Sequence, residues 1–200
     1  MKRIGKFPLK IANDMKDQSP EDQIKEAVKI LKKGGIVIFP TDTVYGIGCR
    51  FDDKDAISRL YKIKKTPESQ PFPILVSDLS QVEKLAVINK TGEELIKKYW
   101  PGALTIVLQS KEGKNKIGFR MPDSALIKSI IDGVGEPLIG TSANFHGSRA
   151  PRSYGEIDPD FIKLADFVLK GECQLEMEST VIDATVDPPK VLRQGAIKLV

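Results

Sequence analysis

The sequence lacks the residue sets and motifs that usually assign a chemistry at first inspection. His146 is its only histidine, and its two cysteines, Cys49 and Cys173, do not have the spacing of zinc ligands. The chain contains no G-x-S-x-G elbow, no P-loop and no G-x-G-x-x-G fingerprint. We therefore expect no protein-bound metal, and any nucleotide must be held by a different arrangement.

Long apolar runs are also scarce. The longest aliphatic and aromatic run, Ile36 to Phe39, is far shorter than the roughly 20 residues of a membrane-spanning helix. The N-terminus has no apolar signal-peptide segment. We therefore expect a cytoplasmic protein without membrane association, in which the two thiols are small buried or turn residues and not a disulfide.

The composition is otherwise that of a globular protein. The chain has 200 residues, of which 40% are hydrophobic and 29% charged, and no repeat or linker divides it. We predict one domain over residues 19–200, preceded by an N-terminal extension over residues 1–18. The net charge of +4 is compatible with an anionic ligand or weak contact with RNA but establishes neither.

Predicted helices and strands alternate in the first part of the chain, and short strands dominate its end. One helix begins at Ser19, where a capping hydroxyl precedes Pro20. The other predicted helices cover residues 54–65, 93–99, 124–131 and 161–165. The predicted strands cover residues 36–39, 74–76, 104–108, 117–120, 138–139, 167–169, 180–182 and 191–192. This order predicts an α/β fold with a mixed parallel and antiparallel sheet and flanking helices.

Polar side chains follow the predicted strand 36–39. Thr41, Thr43 and Tyr45 come directly after it, with Asp42 among them. Ligands of open α/β sheets bind beyond the carboxyl ends of strands, so these side chains could bind a small polar ligand. Threonine and aspartate also favour turns for local backbone reasons, and from these residues alone a capped turn is the simpler interpretation.

Two further segments have the composition of an anion site. Lys62 to Pro67 ends a predicted helix with three lysines, which are either a solvated helix end or phosphate ligands. Gly140 to Asn144 follows a short strand and leads to the arginines of the segment 146–152. That region could bind a phosphate and a nucleoside or form an ordinary loop. His146 is most simply a polar loop residue.

A series of motifs in one order gives the strongest signal. Between Gly34 and Ile197 the chain contains FPTDTVYGIG, the Lys64-x-x-Pro67 run, PILVSD, YWPGALTIVL, GFRMPD, TSANFHGSRAP, ESTVID and LRQGAI. In this series the chain resembles the YrdC-like family of threonylcarbamoyl-adenylate synthases. The resemblance implies a single twisted α/β domain with a basic concave cavity.

The resemblance also implies a reaction. ATP, L-threonine and bicarbonate would give threonylcarbamoyl-AMP and pyrophosphate, a nucleotidyltransferase reaction in which Mg²⁺ arrives with ATP. The product would pass to a downstream tRNA threonylcarbamoyl transferase that modifies the adenosine beside the anticodon, and the chain itself could contact tRNA or double-stranded RNA.

Site residues follow from the positions that match the family motifs. The implied catalytic residues, which also bind ATP, are Lys64, Ser142 and Asn144. Thr43 and Tyr45 would contact threonine, and Thr41 would support the same pocket. Arg120, Ser179 and Arg193 match the phosphate and adenylate region; we assign Arg120 and Ser179 to its threonine side and Arg193, with Arg149 nearby, to ATP.

The chain departs from the family pattern at Thr66. The family's Lys-x-Arg-Pro run has an arginine here, and its loss removes a planar guanidinium that lysine does not replace at a bidentate anion site. Two alternatives therefore stay open, an RNA-binding module without ATP turnover and a paralogue that acts on another substrate. With aromatic residues at 6%, no base-stacking platform is evident, and we rank the binding module below the enzyme.

Overall fold

The computed structural model describes residues 7–8, 10–11 and 19–199. Most of the predicted N-terminal extension, residues 1–18, lies outside the described residues. The α-helices of the described part are α1 (Pro20–Lys32), α2 (Lys54–Lys64), α3 (Leu79–Leu85), α4 (Lys90–Tyr99), α5 (Ala125–Val134) and α6 (Pro159–Ile162). A short 3-10 helix covers Tyr154–Glu156.

The strands form a mixed sheet, as the sequence predicts. They are β1 (Lys10–Ile11), β2 (Val37–Phe39), β3 (Gly46–Arg50), β4 (Ile74–Leu75), β5 (Ala86–Val87), β6 (Leu104–Ser110), β7 (Lys116–Arg120), β8 (Leu138–Ser142), β9 (Phe167–Val168), β10 (Thr180–Asp183) and β11 (Lys190–Arg193). Their order is β1-β9-β2-β3-β8-β4-β7-β6-β10-β11, with β5 on β6. Strands β2 and β9, β4 and β7, and β6 and β10 pair in parallel, whereas β3 with β8 and β6 with β7 are antiparallel.

The two faces of the sheet are covered differently. Alternate residues of a strand point to opposite faces, so Ile106 of β6 lies in the core with α2 and α4 while its neighbour Thr105 faces a cavity. On the cavity face, α1 and α5 cover the side of the sheet around β2 and β8, and Phe39 and Leu75 belong both to that core and to the cavity wall. The cavity is therefore the part of this face that α1 and α5 leave open.

Local signals in the sequence account for the helices that it predicts well. Helix α1 begins after Ser19, whose side chain accepts the backbone N–H of Asp22. Helix α2 follows Asp53, which caps it in the same way, and ends where Lys65 adopts a left-handed conformation, φ 53°. These contacts satisfy helix-end groups that the helix itself leaves unpaired.

The structure contains elements that the sequence pattern did not predict. Residues 46–50 form strand β3 rather than part of a polar turn, and β8 continues through Thr141 to Ser142. Glycine is required within β3 because a side chain at Gly46 or Gly48 would collide with the Phe39 ring or with a neighbouring strand. Helix α3 and strand β5 were also missed. Hydrophobic periodicity is a weak signal in such short or glycine-rich segments.

Candidate active site

The cavity has a volume of about 740 Å³ and brings distant segments of the chain together. Most of the predicted site residues line it: Thr41, Thr43, Lys64, Arg120, Ser142, Asn144, Ser179 and Arg193. Tyr45 and Arg149 are not among its lining residues. The floor is the open sheet face, and the last turn of α2 supplies Lys64.

Lys64 is almost completely buried at the end of α2, with 3% of its surface exposed. Its Nζ donates to the backbone carbonyl of Ser142 at 2.6 Å and to Oδ1 of Asn144 at 3.0 Å. Asn144 is held in turn, because its Nδ2 donates to the carbonyl of Ser148. Strand β8 and the loop after it therefore fix the ammonium group in place.

Lys64 has no carboxylate within ion-pair distance in the part of the chain that the structure describes. Burial lowers its pKa to about 8, and the negative charge of Glu178 opposes this effect without reversing it. Four Lys or Arg residues and two acidic residues line the cavity. The other three cations are paired: Lys116 with Asp183 at 2.8 Å, Arg193 with Glu178 at 2.8 Å, and Arg120 with Asp42 at 2.5 Å. An anionic ligand would find its uncompensated positive charge at Lys64.

Arg120, the last residue of β7, is held by three groups. Its Nη2 donates to Asp42 Oδ1 at 2.5 Å, its Nη1 to Thr43 Oγ1 at 2.8 Å, and its Nε to the Gly102 carbonyl at 3.1 Å. Burial lowers the pKa of the guanidinium, and Asp42 opposes this effect. The group stays cationic because the reference pKa of arginine is so high.

The segment after β2 mainly supports Arg120. Thr43 is fully buried, and Thr41 Oγ1 donates to the Val44 carbonyl at 2.7 Å while contacting Thr43 Oγ1 at 2.9 Å. Tyr45 is also fully buried, and its hydroxyl donates to the Gly171 carbonyl at 2.7 Å. Burial raises the Tyr45 pKa to about 12. Thr43 therefore both lines the cavity and supports Arg120, whereas the Tyr45 hydroxyl bonds to Gly171, in the segment between β9 and β10.

A second pair of hydroxyls comes from Thr105 on β6 and from Ser179, the residue before β10. Ser179 Oγ and Thr105 Oγ1 are 2.9 Å apart, and Arg193 Nη2 donates to the Ser179 carbonyl at 2.9 Å. Thr105 is a lining residue that our residue-level prediction missed. Its place within the YWPGALTIVL motif was the available signal. Arg149 is exposed and lies outside the lining.

Thr66 stands where the family pattern has arginine, and it lines the cavity. Its buried Oγ1 has no hydrogen-bond partner in the part of the chain that the structure describes. The neighbouring lysines do not take over the arginine position: Lys62 and Lys65 are exposed, neither lines the cavity, and Lys65 Nζ lies 4.7 Å from the centre of the Phe145 ring. The wall at Thr66 is therefore polar and uncharged.

Residues 7–8, 10–11 and 19–199 contain neither a metal-site cluster nor a membrane-spanning helix. No three side chains of His, Cys, Asp or Glu come together there as a metal site. No helix in this part of the chain is long and apolar enough to cross a membrane.

Comparison with known proteins identifies the family of this chain. The model Sua5_yciO_yrdC, described as "Telomere recombination", matches residues 29–195. The chain belongs to the Sua5/YciO/YrdC family. Within this family it is 36% identical to a putative threonylcarbamoyl-AMP synthase of Methanocaldococcus jannaschii, with 90% of each chain covered. It is 31% identical to the uncharacterized protein YciO of Escherichia coli, over 90% of this chain and 92% of the other.

A solved structure of the Sua5/YciO/YrdC family supports the fold. The crystal structure of Pyrococcus abyssi Sua5 complexed with L-threonine has a TM-score of 0.82 and 32% sequence identity. The match covers 94% of this chain and 57% of that chain. The α/β fold is thus shared with Sua5, and this chain corresponds to about three-fifths of the longer protein.

Proposed function

We propose that this chain is an L-threonylcarbamoyladenylate synthase, which makes threonylcarbamoyl-AMP and pyrophosphate from L-threonine, bicarbonate and ATP. The observation that carries the proposal is the buried, uncompensated ammonium of Lys64 in a cavity that also contains a fixed guanidinium. Relatives named threonylcarbamoyl-AMP synthase support it.

The proposed reaction needs charge and positioning more than an enzyme nucleophile. The amine of threonine captures bicarbonate or carbon dioxide as a carbamate, with loss of a proton and, from bicarbonate, of water. A carbamate oxygen then attacks the α-phosphorus of ATP, and pyrophosphate leaves from the opposite side. Alignment of the reactants and stabilisation of the phosphoryl charge account for most of the catalysis in such transfers.

The residues of the cavity divide these tasks. Lys64 is proposed to neutralise charge on the triphosphate, while Asn144 and the Ser142 carbonyl hold its ammonium in place. Arg193 and the Ser142 hydroxyl complete the proposed ATP side. Arg120 is proposed to bind the carboxylate of threonine, with Ser179 nearby. Arg149 is exposed outside the lining and takes no part in this proposal.

Magnesium is proposed to enter as part of the Mg–ATP substrate. The two carboxylates that line the cavity, Glu178 and Asp183, are both ion-paired. Mg²⁺ keeps several water ligands and binds readily through substrate phosphates. Phosphate oxygens and water can therefore supply its coordination shell without a dedicated set of protein carboxylates. We further propose that the product serves tRNA modification in the cytoplasm, through a separate transferase.

Pyrophosphate release tests the proposed function. Purified protein receives Mg–ATP, L-threonine and bicarbonate, and the last two are omitted in turn. We expect release that requires both. A folded protein that binds ATP but releases no pyrophosphate would contradict the proposal and favour a paralogue with another role. Salt-sensitive binding of RNA by the same sample would then identify the RNA-binding alternative.

A further inference from the structure

We propose that Asp42 is a positioning residue, which fixes the guanidinium of Arg120 for the carboxylate of the amino-acid substrate. The inference rests on the proposed function for the identity of that substrate. Asp42 is itself 2% exposed and is not among the lining residues. It can therefore act on a ligand only through Arg120.

The side chain of Asp42 has a single function in the structure. An aspartate in a turn commonly accepts nearby backbone N–H groups, but here Thr41 Oγ1 accepts the N–H groups of Thr43 and Val44. Asp42 Oδ1 accepts from Arg120, and Asp42 Oδ2 is buried without a hydrogen-bond partner among the described residues. Leaving a buried carboxylate oxygen unpaired is costly, so local turn structure does not explain an aspartate at this position.

Arg120 is held in a way that leaves part of it for a ligand. Its guanidinium has five N–H groups, and three of these donate to Asp42, Thr43 and the Gly102 carbonyl. Two N–H groups remain, and Arg120 is a lining residue of the cavity. A planar guanidinium in a fixed orientation binds carboxylate in preferred directions. The fixed orientation depends on Asp42, because Thr43 and Gly102 supply only neutral acceptors.

Asp42 could instead act as a simple counter-charge, and the two roles predict opposite results. A counter-charge competes with the ligand's carboxylate for Arg120, so its removal would tighten carboxylate binding. A positioning group keeps the guanidinium in its binding orientation, so its removal would weaken binding. The structure favours positioning, because the Asp42 oxygen makes a directed 2.5 Å hydrogen bond to one nitrogen.

The test is L-threonine affinity measured by calorimetry on the full chain, with and without a non-hydrolysable Mg–ATP analogue. We expect Asp42→Ala to weaken L-threonine binding about tenfold or more. Asp42→Asn, which keeps an acceptor of the same shape, should weaken it about threefold or less. Affinity for the nucleotide should change by less than about twofold, since Lys64 is untouched. If Asp42→Ala does not fold, the Asp42→Asn variant still shows whether L-threonine binding becomes weaker or tighter. The NMR signal of the Arg120 Nε–H in that variant shows whether the guanidinium has lost its fixed orientation.

The matched control is Asp166→Asn, in the other Arg–Asp pair of the described residues whose carboxylate is fully buried. Asp166 pairs with Arg59 outside the cavity lining, so its variant should lower thermal stability and leave L-threonine affinity unchanged. The inference would be overturned by tighter or unchanged L-threonine binding in both Asp42 variants. It would also be overturned if the control weakened binding equally, or if the wild type bound no L-threonine. Pyrophosphate release by the wild type is scored separately, so absent release with intact L-threonine binding would fault the proposed function and not Asp42.

Discussion

Two buried Arg–Asp ion pairs hold different kinds of structure together. In the first, Asp166 is fully buried and accepts from Arg59 Nη2 at 2.9 Å, from the Ile36 N–H at 2.8 Å and from the Phe7 N–H at 2.9 Å. In the second, the Asp42 carboxylate accepts from Arg120 and from no other group of the described residues. The carboxylates are about equally buried, so burial does not distinguish the pairs. The two pairs differ in the number of groups that donate to the carboxylate and in the segments from which those groups come.

The difference separates a structural pair from a functional one. Asp166 joins α2, through Arg59, to the backbone at the start of β2 and to the chain near β1, so three segments depend on it. Asp42 organises one side chain, and that side chain lines the cavity. A buried ion pair is weak evidence for stability by itself. Its role follows from what its members hold in place.

The largest effect should come from breaking the structural pair. We expect Asp166→Ala to lower the free energy of unfolding by roughly 3–5 kcal/mol, because it leaves the Arg59 charge and two backbone N–H groups unpaired. Chemical denaturation measures this loss. Activity per folded molecule should stay near wild type, and a selective loss of activity in a stable variant would show that the two pairs are not distinct in role.

The functional pair should fail in catalysis even when its charge is kept. We expect Arg120→Lys to reduce kcat/KM for L-threonine about a hundredfold, or roughly 2.7 kcal/mol, because an ammonium cannot contact Asp42, Thr43 and a carboxylate with the geometry of a guanidinium. Steady-state kinetics with varied L-threonine measure the change. Near-normal kinetics would mean that only the charge of Arg120 matters.

Lys64 extends the comparison to a buried cation that forms no ion pair among the described residues. We expect Lys64→Ala to lower turnover at least about tenfold, an effect of roughly 1.4 kcal/mol or more, since the proposed triphosphate site loses its uncompensated charge. Pyrophosphate release under saturating substrates measures it. Turnover close to wild type would remove Lys64 from the proposed catalytic residues.

Thr66 tests whether the cavity tolerates a further cation without a carboxylate partner. We expect Thr66→Arg to tighten Mg–ATP binding by about tenfold, the low end of what a charge-assisted hydrogen bond contributes. Calorimetry measures the affinity, and Thr66→Gln, which is long and uncharged, is the matched control. An equal gain in both variants would assign the effect to size and not to charge.

The smallest expected effect is a dependence of nucleotide binding on pH. Lys64 loses its proton as the pH rises through its pKa of about 8, so an anion that binds the charged form should bind more weakly above this pH. We expect a loss of about fivefold in Mg–ATP affinity between pH 8 and pH 9 in the wild type. The Lys64→Arg variant should show a flat profile over this range. A matching decline in both proteins would assign the dependence to another group.

The sequence predicted the parts of the fold that local chemistry determines. Helix α2 was predicted at residues 54–65 and found at Lys54–Lys64, because a capping aspartate and a regular apolar spacing are properties of the segment itself. Strand β3 was missed because Gly46–Arg50 has little strand preference of its own. It is a strand because β2 and β8 pair with it on both sides.

The same division applies to the site. Motif order identified the residues whose backbones surround the cavity, including Lys64 and Arg120. It did not separate side chains that face the cavity from side chains that support it. Tyr45 belongs to the motif, yet its hydroxyl bonds to Gly171, which is 126 residues away in the chain. Asp42 was noted only as one residue of a turn, since its partner lies 78 residues further along.

By itself the sequence determined the fold class, the family resemblance and the set of polar residues from which a site could be built. The tertiary structure alone decided that Lys64 forms no ion pair within the described residues, that Arg120 is held by Asp42, and that no neighbouring lysine brings charge to the wall at Thr66. The physical reason is that secondary structure depends on neighbours within a few residues. Charge compensation and hydrogen-bond partnership depend on distances in space, which only the folded chain sets.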